Sequence, residues 1–576
     1  MSNKNNIDLA RHSCSHLLAA AVLNLYPNTK LGIGPIIENG FYYDFQFKKP
    51  ISEEDLPKIE AEMKKLQKDW QKFEKLEKTI DEAKEIEKDE PFKLELIDEL
   101  GQKGEKISFY KSGNFIDLCK GPHVEKASEI GHFKLLSIAG AYWKGSEKNP
   151  MLTRIYGICF PTQKELEDYF KMVEEAKKRD HKKIGQELDL FSFHKEGAGF
   201  PFWHPNGMII KNTIIEFWRK EHEEAGYKEI QTPIILKEEL WHQSGHWENY
   251  KENMYFTKID SDKYAVKPMN CPGGIQIYKS TLHSYRDFPL RIAELGLVHR
   301  HELSGVLNGL FRVRAFTQDD AHIYCTDQQI EQEIEGVIKL VEKIYKVFGF
   351  NNYHIELSTK PQKHIGSEEI WNKSEKIMKD VVKKMKMKIK INEGDGAFYG
   401  PKFDFHIKDS IGRTWQCATI QLDFSMPERF NLEYVDKTGE RKRPVMIHRT
   451  VFGSFERFIG ILLEHYGGNL PLWLSPYQIA ILPITDKHNA YSEKIKTELE
   501  KEKIRVYFDN RNERLQAKIR QATLQKVPFM GIIGDKEVNS GKNYSISVRT
   551  KDGKDLGTLN LSQFVKRVKI EIDKKI

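Results

Sequence analysis

Hydrophobic positions near the start of the chain repeat with a helical period. Residues 8–25 (DLARHSCSHLLAAAVLNL) are rich in leucine and alanine, Asp8 can cap their first turn, and Pro27 prevents continuation. Residues 31–45 combine glycines with β-branched and aromatic runs, which predicts strands. Residues 52–88 carry lysine and glutamate on either side of an apolar stripe, which predicts a pair of amphipathic helices.

Short strands with glycine-rich turns are predicted for residues 108–160, followed by a charged helix over 163–185 that ends at a glycine. The next large block contains an amphipathic helix over 209–226, closed by Gly226. Strand-like runs then lie around 230–235, 289–299, 311–324, 402–408 and 414–424, before a helix over about 453–466. Because these strands follow one another without regular alternation with helices, the pattern favours a mixed, largely antiparallel sheet.

The pattern changes after Pro476. The segments QIAILPI, KIRVYFD and FMGIIGD have the character of buried strands, and helices are predicted between them over 488–503 and 512–525. The chain as a whole is therefore predicted to be a multi-domain α+β protein. The predicted divisions are a first domain over 1–161, a linker helix over 162–185, a large domain over 186–471 and an α/β domain over 472–576.

Composition excludes several classes of protein. The chain has 576 residues, and its aromatic content of 11% is too high for a disordered protein. No stretch approaches the roughly 18 consecutive apolar residues of a membrane span, and the first residues lack the apolar region of a secretory signal. Six scattered cysteines favour a reducing cytoplasm over a disulfide framework.

The positive charge is concentrated in the last domain. The whole chain carries a net charge of +7, whereas residues 472–576 alone carry 21 basic and 13 acidic side chains, a net +8. This segment is the first candidate for contact with a polyanion, although a merely soluble basic domain is an equally good interpretation of charge alone.

Two arginine-centred segments carry the first chemical signal. In residues 298–325, Arg300 and Glu302 are two positions apart on a predicted strand, and a return strand is predicted to carry Arg312, Arg314 and Phe316. Such a hairpin can bind phosphates and stack a purine. In residues 448–468 a further arginine, at position 457, begins a helix. Isolated arginines are more often surface ion pairs, and only their joint occurrence favours a nucleotide site.

These segments, together with a helix and strand ending in Thr232-Pro233, resemble the three signature motifs of class II aminoacyl-tRNA synthetases. The segments KPMNCPGG, RVRAFTQDDAHIYC, GDGAFYGPKFDFHIKD and VMIHRTVFGSFERFIG resemble the threonyl-tRNA synthetase family more narrowly. The resemblance covers the chain from about residue 8 to its end. It implies a catalytic core with an antiparallel sheet, an N-terminal editing domain and a C-terminal anticodon-binding domain.

The resemblance implies a catalytic Zn²⁺ bound by Cys271, His322 and His448. One thiolate and two imidazoles leave a tetrahedral ion with an open position, as in catalytic zinc sites. Spacing alone does not identify this set, and without the resemblance a buried cysteine and two hydrogen-bonded histidines would be favoured. The metal suits threonine, because valine has nearly the same shape but lacks the hydroxyl group that would complete the coordination.

The resemblance also implies how ATP and threonine are bound. Asp320 would hold the ammonium group of threonine, with Gln318 and Tyr399 as further contacts. Mg²⁺ would accompany ATP. Roles at the nucleotide are implied for Arg300 (α-phosphate), Arg312 and Arg457 (outer phosphates), Phe316 (adenine stacking), and Glu302 and Gln416 (nucleotide end). Lys402 is expected near the adenylate, and His246 near the terminal adenosine of the tRNA, where it could help to deprotonate the ribose hydroxyl.

Serine differs from threonine by one methyl group, worth about 1 kcal/mol, so a second, hydrolytic site is expected. His12 and His16 share a face of the first predicted helix, and Cys119 and His123 lie in a Gly-Pro loop. This combination resembles the editing domain that threonyl- and alanyl-tRNA synthetases share, and it implies further polar positions at Asp117 and Lys93. The four ligands could bind a metal, but metal-independent hydrolysis is favoured.

Within the last domain the resemblance implies anticodon contacts from Glu537 and Arg549. The expected partners are tRNA(Thr), ATP, threonine and a second copy of the chain, which would pair through residues 209–235. Two departures from the family are expected: a small extra N-terminal domain is absent because only eleven residues precede His12, and Gly274 replaces a usual histidine. The alternatives are a non-catalytic RNA-binding relative and a class II enzyme for proline or serine.

Overall fold

The computed structural model describes residues 2–540 and 544–576. The chain forms two compact units, Met1–Glu174 and Glu175–Ile576, each with its own hydrophobic core. The division lies inside the predicted linker helix. That segment forms two helices, Gln163–Lys178 and His181–Glu187, and the second begins where the side chain of Asp180 accepts a hydrogen bond from the backbone of Lys182.

The first unit is built around the helix Ser2–Leu25. Residues 13–22 of this helix are all buried, including the polar Ser13, Ser15 and His16, so this part of the helix is enclosed by the unit on every side. The helix begins earlier than predicted. Asp8 therefore lies inside it and pairs with Arg11 at 3.5 Å instead of capping the first turn.

Two sheets accompany this helix. The larger has the strand order Lys30–Leu31, Gly40–Gln46, Met151–Phe160 and His132–Tyr142, with Ile36–Ile37 beside Gly40–Gln46. The smaller contains Glu74–Lys78, Ile107–Ser112 and Phe115–Leu118. The remaining helices of the unit are Leu56–Asp69, Ile80–Ile86 and Pro91–Gln102.

The predicted helix pair over 52–88 is wrong in its middle. Glu74–Lys78 is a strand, because it pairs with Ile107–Ser112 and Leu76 packs against the core beside Phe109. Its charged residues flank a single apolar position, so the local pattern is compatible with either structure, and the tertiary pairing decides.

The second unit contains an eight-stranded, largely antiparallel sheet, as the sequence predicts. Its strand order is Lys228–Glu229, Leu290–His299, Ala315–Cys325, Val445–Thr450, Thr414–Asp423, Lys402–Lys408, Tyr353–Ser358 and Ile389–Asn392. Only the two outermost pairings are parallel. The strands Tyr353–Ser358, Ile389–Asn392 and Val445–Thr450 are absent from the sequence prediction.

One face of this sheet is covered by helices and the other carries polar residues. Phe403, Phe405 and Ile407 point into the core, where the helix Ile330–Val347 packs. Other helices of this part of the chain are Pro205–Glu224, Glu238–Ser244, His246–Tyr250, Cys271–Lys279, Glu368–Lys384, Ser425–Arg429 and Phe455–Tyr466. Short strands form three small sheets: Phe191–Ser192 with Phe202–Trp203; Ile235–Lys237, Tyr255–Ile259 and Asp262–Val266; and His283–Ser284, Tyr434–Val435 and Arg441–Lys442.

The C-terminal part has its own five-stranded sheet. Ile479–Pro483, Val506–Phe508 and Phe529–Ile533 pair in parallel, as the predicted α/β alternation requires, and Ser545–Thr550 and Asp555–Asn560 add an antiparallel hairpin that the sequence prediction missed. Its helices are Asn489–Lys501, Leu515–Leu524, Asp535–Val538 and Leu561–Asp573. None of the helices in the described residues has the length and apolarity needed to cross a membrane.

Candidate active site

A cavity of about 590 Å³ opens on the polar face of the eight-stranded sheet. Strand alternation explains its lining, since every second residue of Ala315–Cys325 points to the same face. Of the fourteen residues predicted for the catalytic site, His322, His246 and Lys402 are not among the lining residues, and the other eleven are: Cys271, Arg300, Glu302, Arg312, Phe316, Gln318, Asp320, Tyr399, Gln416, His448 and Arg457.

The predicted metal ligands come together at one end of the cavity. His322 and His448 are cross-strand partners on neighbouring antiparallel strands, with ring centroids 4.9 Å apart. Cys271 is the first residue of the helix Cys271–Lys279, and the ligand atoms of the three residues all lie within 4.8 Å of one another. All three side chains are buried.

The chemistry of this set fits a bound zinc ion. Nε2 of His322 is buried without a hydrogen-bond partner, a costly arrangement that a metal would relieve. Nε2 of His448 lies 2.8 Å from Oδ2 of Asp423, which is the kind of second partner that orients a metal-binding histidine. Burial lowers the pKa of His322 and raises that of the Cys271 thiol, so metal binding would have to displace the thiol proton.

Asp320 provides a buried carboxylate beside these ligands. Its Oδ2 accepts a hydrogen bond from Nδ2 of Asn270 at 3.2 Å and lies 3.8 Å from Nε2 of His322. Burial raises the pKa of Asp320, and a neighbouring cation would stabilise the charged form of its carboxylate. Gly296 makes room for the supporting amide, because a Cβ there would lie 2.1 Å from Oδ1 of Asn270.

The arginines of the predicted hairpin lie in its loop and not on its strands. The strands are Leu290–His299 and Ala315–Cys325, so Arg300, Glu302 and Arg312 all belong to the connection between them. This corrects the strand positions that spacing predicts. Nε of Arg312 donates to Oε2 of Glu302 at 2.8 Å, and the guanidinium of Arg300 lies 5.1 Å from the ring centroid of Phe316. The two arginines of the loop and Phe316, near the start of the return strand, can therefore face one ligand.

Arg457 approaches the cavity from the helix Phe455–Tyr466. Its backbone N–H donates to Oγ of the capping residue Ser454 at 3.2 Å. Ser454 also forms an isolated bridge with Gln318, which links the start of the helix to the cavity strand. Nε of Arg457 is buried without a partner, so its guanidinium is available to an anion in the cavity.

His181 is a residue that the sequence analysis missed. Its Nδ1 lies 2.7 Å from Oε1 of Glu464, on the same helix as Arg457, and its Nε2 accepts a hydrogen bond from the backbone N–H of Leu310 at 2.9 Å. The histidine is 1% exposed. It thus joins the loop that carries Arg312 to the helix that carries Arg457. No sequence signal identifies it, because 283 residues separate it from Glu464.

Asp404 is a second residue that the sequence analysis missed. Its Oδ1 accepts from Nε2 of Gln416 at 2.6 Å and from Oγ1 of Thr419 at 3.1 Å. Lys402 pairs with the same carboxylate and is not among the residues that line the cavity. Asp404 could have been noticed as a polar position that alternates with Phe403 and Phe405 on a buried strand.

His246 lies behind the cavity wall and not on it. It is inaccessible to solvent, with Nδ1 2.7 Å from Oγ of Ser244 and Nε2 2.9 Å from Sδ of Met269. Burial, with smaller contributions from His448 and two arginines, lowers its pKa to about 3. The imidazole is therefore neutral, but Met269 stands between it and the cavity.

The first unit brings together the other predicted cluster. The ligand atoms of His12, His16, Cys119 and His123 all lie within 4.8 Å of one another. Sγ of Cys119 is 3.3 Å from Nε2 of His12 and 3.3 Å from Nε2 of His123. The helix Ser2–Leu25 supplies the first two histidines one turn apart, as their i, i+4 spacing predicts.

Hydrogen bonds determine the tautomers in this cluster. Nδ1 of His12 faces the carbonyl oxygen of Pro122 at 3.2 Å and must donate to it. Nδ1 of His123 lies 3.0 Å from Oγ of Ser13, whose own proton is used on the carbonyl of Leu9. Both Nε2 atoms are therefore acceptors. The single S–H of Cys119 can serve only one, which leaves the other free to accept from water.

Asp117 and Lys93 lie beside this cluster as a buried ion pair. Nζ of Lys93 is 2.5 Å from Oδ1 of Asp117, and both residues are 2% exposed. Tyr43 donates to Oδ2 of Asp117 at 2.6 Å, and Nε2 of His16 lies 3.7 Å from that oxygen. The pair stands behind His16, so it can orient the cluster through that histidine.

The two predicted anticodon residues differ in accessibility. Glu537 is 4% exposed, with Oε2 accepting from the backbone of Gly534 at 2.9 Å and Oε1 from Oγ of Ser547 at 2.7 Å. Arg549 is exposed on the strand Ser545–Thr550, two residues beyond Ser547. The carboxylate is already occupied by this chain, whereas the guanidinium is open to a partner.

Three segments of the chain match known protein families. Residues 107–156 match the second additional domain of threonyl and alanyl tRNA synthetases. Residues 255–466 match the class II core domain of tRNA synthetases (G, H, P, S and T), and residues 478–571 match an anticodon binding domain.

Whole-chain relatives are similar over nearly the full length. A threonine–tRNA ligase of Acetivibrio thermocellus is 59% identical over 97% of this chain and 88% of the relative. That of Caldanaerobacter subterraneus subsp. tengcongensis is 57% identical over 98% and 87%. Among solved structures, the RNA binding domain of threonyl-tRNA synthetase from Cryptosporidium parvum Iowa II has a TM-score of 0.66 and 40% identity, covering 68% of this chain and 98% of that one.

The protonation of Cys119 gives a test of the cluster in the first unit. Burial raises the pKa of its thiol to about 12, against an ordinary value of about 8.5. We expect iodoacetamide to alkylate Cys119 about 10³-fold more slowly than a free thiol at pH 8, and about tenfold faster for each further pH unit. Mass spectrometry of the Cys119 peptide measures the rate. A rate that levels off near pH 9 would contradict this electrostatic account.

Proposed function

The chain belongs to the threonine–tRNA ligases, and we propose that the residues of the cavity described above carry out both steps of this reaction. The enzyme activates threonine with ATP to threonyl-adenylate, transfers it to tRNA(Thr), and hydrolyses mischarged Ser-tRNA(Thr). The observation that supports the residue roles is that Cys271 and His448, which are grouped with His322, line one cavity together with Arg300, Arg312 and Arg457.

Threonine is bound at the metal end of the cavity. A zinc ion held by Cys271, His322 and His448 would supply Lewis-acid coordination for the amino and hydroxyl groups of the substrate. The buried carboxylate of Asp320 holds the ammonium group, and Gln318 and Tyr399 complete the contacts. Valine is rejected because it lacks the hydroxyl group, and proline because its ring nitrogen cannot make the same contacts.

ATP, accompanied by Mg²⁺, occupies the other end. Arg300 neutralises the α-phosphate, and Arg312 and Arg457 neutralise the outer phosphates as pyrophosphate leaves. The ring of Phe316 stacks on adenine, with Glu302 and Gln416 at the nucleotide end. Because Lys402 is paired with Asp404, we assign it the indirect role of orienting the carboxylate that holds Gln416. His246 supports Met269 behind the site where the terminal adenosine arrives.

Editing is assigned to the cluster of His12, His16, Cys119 and His123 without a metal. The support is that His12, Cys119 and His123 contact one another with one Nε2 left to accept from water, and that burial keeps the Cys119 thiol protonated. We assign the free lone pair to His12, where it activates the attacking water. Burial lowers the pKa of His12 and so keeps this base neutral at pH 7. Asp117 and Lys93 orient His16.

The last domain is proposed to bind the anticodon arm of tRNA(Thr). Its net charge of +8 over residues 472–576 suits phosphate contacts, and the exposed Arg549 is suited to a base edge. Because its carboxylate is buried, Glu537 acts through Ser547, which lies on the same strand as Arg549. The proposed domain limits remain 1–161, 162–185, 186–471 and 472–576.

A homodimer is proposed through the helix Pro205–Glu224 and the segment that follows it. The support is a group of exposed apolar side chains there, including Phe202, Met208, Ile234 and Ile235, which are 36–46% exposed. A cytoplasmic location is proposed because the enzyme serves translation, and the six unpaired cysteines suit a reducing compartment.

Removal of one metal ligand tests the proposed amino-acid site. Wild-type enzyme should support ATP–pyrophosphate exchange strongly with threonine and more weakly with serine, and only at background with valine or proline. We expect Cys271→Ala to lose both its zinc, measured by elemental analysis, and threonine-dependent exchange. Cys325→Ala, a buried cysteine outside the cluster, is the control. Unchanged exchange in a metal-free Cys271→Ala enzyme would refute the zinc assignment.

Removal of the proposed editing base tests the second site. We expect His12→Ala to charge tRNA(Thr) with threonine at the wild-type rate but to hydrolyse Ser-tRNA(Thr) 10²- to 10⁴-fold more slowly, the usual range for loss of a general base. His132→Ala removes an exposed histidine from the same unit and serves as the control. Normal clearance of Ser-tRNA(Thr) by the His12 variant would count against the assignment.

The role of His181 as a positioning residue is tested through ATP. His181→Ala leaves a buried N–H of Leu310 unpaired, at a cost of about 1–3 kcal/mol, so we expect kcat/KM for ATP in pyrophosphate exchange to drop about 5- to 150-fold. KM for threonine and Ser-tRNA hydrolysis should not change. His194→Ala is the exposed control. An equal loss for ATP and threonine would indicate a general structural role instead.

A further inference from the structure

A third group of metal-type ligands lies away from both sites described above. His354 and Glu356 are two residues apart on the strand Tyr353–Ser358, so their side chains share a face of the sheet. His406, on the neighbouring strand Lys402–Lys408, is the cross-strand partner of His354. None of the three residues lines the cavity.

The three side chains lie within reach of one another. The rings of His354 and His406 are stacked, with centroids 4.8 Å apart and planes 10° apart. Nε2 of His354 lies 3.1 Å from Oε1 of Glu356, and Nε2 of His406 lies 3.7 Å from Oε2 of the same carboxylate. The ligand atoms of all three residues lie within 4.8 Å of one another.

These separations match the spacing of donors around a tetrahedral ion. Zinc–nitrogen bonds of about 2.0–2.1 Å place two ligand atoms about 3.4 Å apart. This value lies between the 3.1 Å and 3.7 Å that separate the histidine Nε2 atoms from the oxygens of Glu356. Two imidazoles and one carboxylate also form a donor set of the kind found in protein zinc sites. Each ligand is half-buried, so a metal can reach the group from solvent.

The charge state of the group suits a cation. The pKa of Glu356 is lowered because nearby His406, His354 and Lys390 outweigh the opposing effect of burial. Burial is the main reason that the pKa of His406 is lowered, which favours the neutral imidazole that binds metals. Lys390, on the strand Ile389–Asn392, competes for the site, since its Nζ lies 3.5 Å from Oε1 of Glu356.

We propose that His354, Glu356 and His406 form a binding site for one divalent transition-metal ion of the Zn²⁺, Ni²⁺ and Cu²⁺ class, separate from the amino-acid site. The ion would link two adjacent strands of the catalytic sheet. One of them carries Asp404, which supports Gln416 in the cavity, so the ion would brace that strand close to the nucleotide end.

Two sets of variants with opposite expected effects test this site. Full-length enzyme carrying its resident zinc is titrated with further Zn²⁺ by isothermal titration calorimetry. We expect His406→Ala and His354→Gln to bind one ion fewer than wild type, or to bind it at least tenfold more weakly. Lys390→Ala should bind it several-fold more tightly, because the competing ammonium group is gone. Lys388→Ala removes the same charge from an exposed neighbour and should match wild type.

Melting temperature and activity separate this result from misfolding. Added Zn²⁺ should raise the Tm of wild type but raise it less in both histidine variants, whose threonine charging without added metal should remain at the wild-type level. The proposal is overturned if both histidine variants keep the wild-type stoichiometry and affinity. It is also overturned if Lys390→Ala binds no more tightly than Lys388→Ala, because Glu356 would then not be a ligand.

Discussion

The antiparallel pairing of Ala315–Cys325 with Val445–Thr450 is the constraint on which the catalytic site depends. On one face of these strands the pairing sets His322 opposite His448. On the other face, the buried carboxylate of Asp319 accepts backbone N–H bonds from Val451, Phe452 and Gly453. The first contact brings the proposed metal ligands together, and the second positions the turn that leads into the helix that carries Arg457. A shift of one residue in register would separate both sets.

The arginines that we propose for ATP binding are carried by a loop and a helix end that are held from outside the cavity. His181 joins these two elements, and Arg314 anchors the loop by donating to the backbone carbonyls of Glu302 and Ala198. This arrangement leaves the guanidinium of Arg457 without a strong internal partner. Arg457 is half-buried and its Nε has no hydrogen-bond partner, an arrangement that is costly to folding but favourable for binding an anion.

The two histidine clusters of this enzyme use imidazole in different ways. In the first unit, His12, His123 and Cys119 share hydrogen bonds, and one lone pair is left for water. Beside the catalytic cavity, Nε2 of His322 is buried without a hydrogen-bond partner. An orphaned nitrogen beside a thiol and a second imidazole favours a metal, whereas a hydrogen-bonded cluster with one lone pair left for water favours acid–base chemistry. Burial keeps the imidazoles of His12 and His322 neutral, which both roles require.

Hydrophobic periodicity and short motifs predicted the mixed antiparallel sheet, the family and several of the helices, but not Pro91–Gln102, Cys271–Lys279, Ile330–Val347, Glu368–Lys384 or Leu561–Asp573. They misplaced Glu74–Lys78, because five residues with one apolar position do not distinguish a strand from a helix until a partner strand is present. The proposed metal ligands could be predicted only from the resemblance to the family, since their spacing matches no local metal-binding pattern. Only the tertiary structure identified His181, because its role depends on Glu464, 283 residues away. It also decided that Asp404 binds Gln416 and that Glu537 is buried against Ser547, because the packing of strands and helices determines which polar side chains meet.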